Sequence, residues 1–471
     1  MKRILSIVAV SLSLFFAVSS SAKVVLPSMF ADGMVIQRET TARLWGTANK
    51  GAEVSISPSW TDETYTVRAD KEGRWQAEIA TPEAGGPYTL TFDDGEQTVI
   101  GNILSGELWL CSGQSNMEMT LKGFKSQPVE GAISDILSSA DDGLRMFTLK
   151  RNSQIAPVDT VCGRWNEAGP ATTRDFSATA YYFGRALRKA LGVPVGLVVA
   201  AWGGSACEAW MKADWLKAFP DVKIPVTKED VWSKNRTPTV LYNGMLHPLV
   251  GMAMRGVIWY QGEDNVNRHT TYADLLSTMI GGWREEWGIG EFPFYYCQIA
   301  PFDYPRIDWN YNSAFLREQQ AKVELSTPGT AMAVLMDAGL EYGIHPRKKR
   351  EAGERLALLA LKNTYGNTNV PEFARYKDVV FNNDTAVISF EKSKEWVYFD
   401  RGTTSELFEI AGEDRVFHPA TAWTTGNKVY VKSDEVAAPV AVRYAFKNWA
   451  DGDLFCDGLP VSSFRTDDWD E

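Results

Sequence analysis

The sequence predicts a mixed α/β chain: a central α/β sandwich on a parallel sheet, with a β-rich region at each end. Three observations carry this. Short strand patterns punctuated by turn residues fill 23–103, and apolar runs alternating with helical patterns fill 104–367. The short-strand texture then returns over 368–471.

Residues 1–22 stand apart from that frame. Lys2 and Arg3 precede an apolar run from Ile4 to Val18 and the small residues Ser19 to Ala22, the three parts of a cleavable signal peptide. Nothing later in the chain reaches the roughly 20 apolar residues that span a bilayer. The mature protein is expected in the periplasm or secreted, with no membrane attachment after cleavage.

From 23 to 103 the runs "MVIQR", "TARLWG", "AEVSIS", "TYTVRAD", "RWQAEIA", "YTLTF" and "QTVIGNIL" are separated by Gly, Asp, Asn or Pro. Short strands at regular spacing with such punctuation suggest a β-sandwich region. The tail repeats the pattern in "DVVFNND", "TAVISF", "EWVYF", "KVYVKS" and "VAVRYAF". Whether the two regions form one domain or two stays open.

The middle carries near-continuous apolar runs: "LWLC", "VGLVVAAW", "GVIWY", "FYYCQIA" and "AMAVLM". Unbroken apolarity marks strands covered on both faces, as in a parallel sheet. Between them "TRDFSATAYYFGRALRKALG", "TYADLLSTMIGGWREEWG" and "YNSAFLREQQAKVEL" repeat apolar residues at helical spacing. Gly192 closes the first as a C-terminal cap.

Each strand pattern ends in polar chemistry. Cys111 is followed by Ser112-Gly113-Gln114-Ser115-Asn116, and Ala201 by Trp202-Gly203-Gly204-Ser205. Tyr260 leads to Gln261-Gly262-Glu263-Asp264-Asn265, and Met336 to Asp337 with His345 beyond. Open α/β sheets bind ligands at the carboxyl ends of their strands, so four such ends on one edge read as an active site. A serine needs an imidazole to take its proton, and the resulting oxyanion needs fixed N–H donors. Ser115 and His345 supply the first pair. The Ser115 N–H, the backbone at Gly203 or Gly204 and the Asn265 amide are candidates for the second.

Composition narrows the alternatives. A net charge of −11 argues against nucleic acid and anionic membranes as partners. The 17 tryptophans suit an exported protein that handles sugars, although most are expected in the core. Five widely spaced cysteines without a C-x-x-C pair indicate neither a zinc site nor a disulfide scaffold.

In combination and in this order, "GQSNM", "WGGS", "YQGEDN" and "IHP" resemble the sialate O-acetylesterase branch of the SGNH hydrolases. "LYNGMLHPL", "LREQQ", "IHPRKKREAGERLAL", "AVRYAFKNW" and "GLPVSSF" are similar to the same family, so the likeness spans nearly the whole mature chain. The resemblance implies a flavodoxin-like three-layer α/β/α catalytic domain with β-rich accessory regions, and no metal or cofactor. It implies Ser115 as nucleophile and His345 as general base, with Ser115, Gly203, Gly204 and Asn265 around the oxyanion. Related esterases carry an aspartate three residues before the histidine, where this chain has Tyr342. The group that orients His345 is therefore Asp337, Glu341 or a backbone carbonyl.

The polar neighbours Gln114, Asn116, Gln261, Glu263, Asn243, His247 and Arg347 form the expected substrate-binding set, with Glu263 also read as a hydrogen-bonded structural group. Glu118 reads as a first-turn acid placed by the helix dipole. Arg347-Lys348-Lys349-Arg350 is either a solvated charged face or a site that attracts an anionic sugar through Arg347 or Lys349. Pro346 is expected at the first helical position. The expected function is release of acetate from O-acetylated carbohydrate, sialate 9-O-acetyl esters first. Acetylated xylan or another hemicellulose is the alternative substrate, and a non-catalytic glycan-binding protein the alternative class. The oligomeric state is left open.

Overall fold

A computed structural model of the chain describes residues 23–304, 312–392 and 395–469 and is organised around one 17-residue strand, Gln97–Gly113. The expected signal peptide lies outside the described residues. Along this strand exposed and partly exposed positions predominate up to Asn102, then every residue from Ile103 to Gly113 is buried. That switch marks where the strand passes from a sheet with a wet face into one covered on both faces. The expected boundary at 103/104 thus falls inside a continuous strand.

The first half pairs antiparallel with Gly85–Asp93, which continues to Glu53–Pro58 and Tyr65–Arg68. Val35–Gln37 joins in parallel at Leu104–Gly106. Thr41–Thr47 and Arg74–Ala80 form a separate two-stranded sheet, and strict alternation along Arg74–Ala80 buries one face only.

The second half is the middle strand of a mixed sheet in the order Thr330–Ala333, Phe294–Cys297, Gly256–Tyr260, Gln97–Gly113, Val195–Ala201, Asp141–Thr148, Trp165–Ala168. The first six are parallel and Trp165–Ala168 is antiparallel. Val195–Ala201, Gly256–Tyr260 and Phe294–Cys297 are buried at every residue, as their unbroken apolarity requires. The helix Ala178–Leu191 is capped by the Ser177 side chain at its start and by left-handed Gly192 at its end. It packs against Lys349–Asn363, while Tyr272–Trp287 packs against Asn312–Ser326. Gly353 permits the first packing: a Cβ there would lie 2.6 Å from the Thr179 carbonyl oxygen.

The tail builds a seven-stranded antiparallel sheet that includes Thr404–Ala411 and Phe417–Thr425, two strands beyond the expected short-strand runs. Fully buried Arg317 fastens it to the α/β core. Its guanidinium donates to Ser463 Oγ at 3.0 Å, Ser313 Oγ at 3.2 Å and the Lys447 carbonyl at 2.5 Å. "LREQQ" and the two tail motifs therefore meet in one hydrogen-bonded joint. All five cysteines are unpaired thiols. No helix among the described residues is long and apolar enough to cross a membrane.

Candidate active site

Gly113 is in register with Ala201 on one side and Tyr260 on the other, so three parallel strands end at the same level. After Gln97–Gly113 the chain adds Asp141–Thr148, Trp165–Ala168 and then Val195–Ala201 on one side, and crosses to build on the Gly256–Tyr260 side. The central strand thus ends at a topological switch point, where α/β sheets open a crevice. Gly113 turns the chain there at φ 136°, and a Cβ would lie 2.2 Å from the Tyr260 carbonyl oxygen. Gln114 is extended, and Ser115 opens the short helix Ser115–Glu118 with 8% of its surface exposed.

His345 lies on the loop between Thr330–Ala333 and Lys349–Asn363, edge-on to the Phe124 ring at 5.2 Å between centroids. Its Nδ1 lies 2.6 Å from Gln127 Oε1. An amide oxygen only accepts, so Nδ1 carries the proton and Nε2 keeps its lone pair. Burial, assisted by the charge of Lys349, pushes the imidazole down to about 4, so it is neutral at ordinary pH. Gln127 is held in place because its backbone exchanges hydrogen bonds with Phe124 in both directions. Among the described residues no hydrogen bond joins Ser115 to His345; such contacts commonly tighten only on substrate binding.

Asp337 does not orient His345, and this corrects the sequence expectation. Both its carboxylate oxygens accept from Arg355 at 2.6 Å, and its carbonyl accepts from Lys348. A forked guanidinium on the facing helix is a stronger partner than an imidazole eight residues along the loop. Glu341 offers its carbonyl to the Asp303 N–H and its side chain to Tyr342. The observed partner is a side-chain amide, on a loop that carries none of the sequence motifs.

The oxyanion candidates separate as well. The Gly203 N–H donates to Glu118 Oε2 at 2.8 Å, and that carboxylate is gripped by the Arg151 fork through two bonds of 2.6 Å. Arg151 in turn lies over the Trp202 ring. Glu118 therefore does more than complement a helix dipole. Asn265 accepts from the Cys207 N–H and from Gln261 Nε2, and spends one of its two Nδ2 hydrogens on Glu208. Among the described residues no acceptor engages the Ser115 or Gly204 N–H. Gly203 stays close to Ser115, since a Cβ on it would lie 3.2 Å from Ser115 Cβ.

Most of the expected substrate-binding set turns out to be internal. Gln114 Oε1 accepts from the N–H groups of Gly262 and Asp264. Gln261 is buried, bonded to the Ser205 carbonyl, Asn265 and Tyr272. Asn243 pins the Gln154 and Ile155 carbonyls, and His247 bonds the Val158 carbonyl in a groove of about 520 Å³ shared with Trp45 and Trp75. Polar groups at strand ends are soon covered by the next element, and once buried they must satisfy one another. Arg347 remains exposed.

Asn116 and Glu263 join a buried network beneath the serine. Asn116 Nδ2 donates to Glu263 Oε1 at 2.5 Å and to the Ile344 carbonyl at 3.1 Å. Asn116 Oδ1 accepts from Lys349 Nζ at 2.8 Å. Burial pushes Glu263 up to about 7 and Lys349 down to about 7. The four-cation run is thus neither of the expected things as a unit. Lys348 binds the Asp337 carbonyl, Lys349 is buried, Arg350 pairs with Asp135, and Arg347 faces solvent. The helix starts at Lys349, not Pro346, because Lys348 at ψ 64° is not helical. Helical spacing carried the missed signal: Lys349 shares a face with Ala352, Gly353, Leu356 and Ala360, all buried.

The family model described as a carbohydrate esterase, sialic acid-specific acetylesterase, matches residues 105–361. The sialate O-acetylesterase of Rattus norvegicus is 31% identical over 88% of this chain and 88% of its own length. That of Homo sapiens is 30% identical over 73% of this chain and 71% of its own. The crystal structure of a carbohydrate acetylesterase from Xanthomonas citri superposes with a TM-score of 0.87 at 38% identity, covering 95% of this chain and all of that one.

Proposed function

We propose, for a chain that belongs to the sialic acid-specific carbohydrate acetylesterase family and is a carboxylic ester hydrolase, that it removes O-acetyl groups from sugars through a Ser115–His345 acyl-enzyme mechanism. Ser115 Oγ attacks the acetyl carbonyl while His345 Nε2 takes its proton. The tetrahedral oxyanion is met by the N–H groups of Ser115 and Gly204, with Gly203 and Asn265 beside them. His345 returns the proton to the departing sugar oxygen. It then deprotonates a water, which attacks the acetyl-enzyme and releases acetate. The observation that carries the reading is His345 held as a neutral Nδ1–H tautomer by Gln127, on the same sheet edge as a serine at the switch point.

The catalytic region, 104–367, is assigned to the SGNH-type three-layer class, with 23–103 and 368–471 as β-rich accessory regions. The reading also places the mature protein outside the cytoplasm. Sialate esters are the first substrate class, on the strength of the family match. Acetylated hemicellulose is the second, because the Xanthomonas citri protein shares more identity than the mammalian relatives and is described only as a carbohydrate acetylesterase. Acetate release from O-acetylated sialic acid and from acetylated xylan, by wild type, Ser115→Ala and His345→Ala, tests both choices. Turnover of one substrate, lost in both variants, supports the mechanism and selects the sugar. Full turnover in Ser115→Ala overturns it.

A further inference from the structure

The two peptide carbonyls on either side of His345 are both held by side chains, and the two side chains hold each other. Asn116 Nδ2 donates to the Ile344 carbonyl at 3.1 Å. Lys349 Nζ donates to the Pro346 carbonyl at 2.7 Å and to Asn116 Oδ1 at 2.8 Å. Asn116 is the residue after Ser115, so this small ring of bonds spans from the serine turn to both flanks of the histidine. We propose that Asn116 and Lys349 are positioning residues that act as one clamp, setting the imidazole of His345 against Ser115. The proposal rests on the Ser115–His345 reading above.

Four features favour a clamp over a chance contact. Lys349 is 1% exposed and Asn116 fully buried, so the bonds of Lys349 to Asn116 and to the Pro346 carbonyl are shielded from water. A buried ammonium is costly unless its donors are used, and two of the three donors of Lys349 go to this ring. The anchor is backed from behind, because Asn116 is also fixed by Glu263 Oε1 at 2.5 Å. The loop from Gly343 to Lys348 lies outside regular structure, so the clamp supplies restraint that no helix or strand provides there.

The clamp has an electrostatic side. Lys349 is the charged group that acts on His345, while Phe124 and Gln127 supply its uncharged walls. Glu263 and Cys297 are the ionisable groups that act on Lys349 itself. At acid pH Lys349 is charged and Glu263 neutral, so Lys349 disfavours protonation of the base where that protonation would matter.

The test uses full-length protein and hydrolysis of 4-nitrophenyl acetate across pH, with Ser115→Ala and His345→Ala measured alongside. Lys349→Met keeps most of the stem and removes the ammonium. We expect a folded protein whose kcat falls at least about tenfold while KM stays within about twofold, since the clamp acts through His345 and not on substrate. The acid limb of kcat/KM should move up by about half a pH unit or more, a change that a purely structural lysine would not produce. Asn116→Ala, which cuts the ring at its other member, should show the same split between kcat and KM, and it decides the matter if Lys349→Met does not fold. Wild-type kcat in a folded clamp variant, or a loss confined to KM, overturns the clamp while leaving the catalytic pair intact. Full activity in Ser115→Ala or His345→Ala overturns the underlying reading instead.

Discussion

Gln127 Oε1 lies 2.6 Å from His345 Nδ1, so an amide and not a carboxylate orients the imidazole. An amide fixes the tautomer but adds no negative charge to stabilise the imidazolium. Gln127→Ala should lower kcat by roughly tenfold to a hundredfold with little effect on KM. Gln127→Glu should raise the pKa of His345, because an adjacent carboxylate favours the charged ring. The acid limb of its kcat/KM profile should then lie above that of wild type. A profile identical to wild type would show that Gln127 does not face the base.

Asp337 is an anchor for the last helix of the α/β core. Asp337→Asn leaves Arg355 without its carboxylate partner, at a cost of about 1–3 kcal/mol. Urea unfolding should show the loss, while kcat for 4-nitrophenyl acetate stays within about twofold of wild type. A collapse of kcat at unchanged stability would return Asp337 to the triad.

Glu118 occupies the N–H of Gly203, a residue packed beside Ser115. Freeing Gly203 by Glu118→Ala should raise kcat/KM for a neutral aryl acetate by up to roughly tenfold, less than the hundredfold or more that a fully preorganised donor supplies. A clear fall would mean that the Glu118–Arg151 pair is itself part of the binding surface.

Glu263 makes stability depend on pH in a predictable direction. Burial raises its carboxyl from the ordinary 4.5 to about 7. A raised value contributes stability that is present below about 4.5 and lost as pH rises through 7, because the unfolded chain ionises first. Glu263→Gln removes that dependence and keeps an acceptor for Asn116. The Tm of the variant relative to wild type should therefore climb by a few degrees between pH 4.5 and 7 and level off above. A constant difference across that range would place the carboxylate in contact with water.

The elements themselves were legible in the residues. Unbroken apolarity marked Val195–Ala201 and Gly256–Tyr260 as doubly covered strands, and three- and four-residue spacing marked Ala178–Leu191 and Tyr272–Trp287. The polar ends of those strands located the candidate site, because side-chain periodicity and strand direction are properties of local sequence. What the tertiary structure alone decided was which polar group answers which. Gln127 and His345 are 218 residues apart, and so is the choice of Arg355 over His345 as the partner of Asp337 a matter of packing between a strand end and a helix. Lys349 reads as one cation among four until the helix turns it inward at the same face as Leu356. A hydrogen-bond donor meets many possible acceptors along a chain, and only burial, which removes water as the alternative, makes one of them the partner.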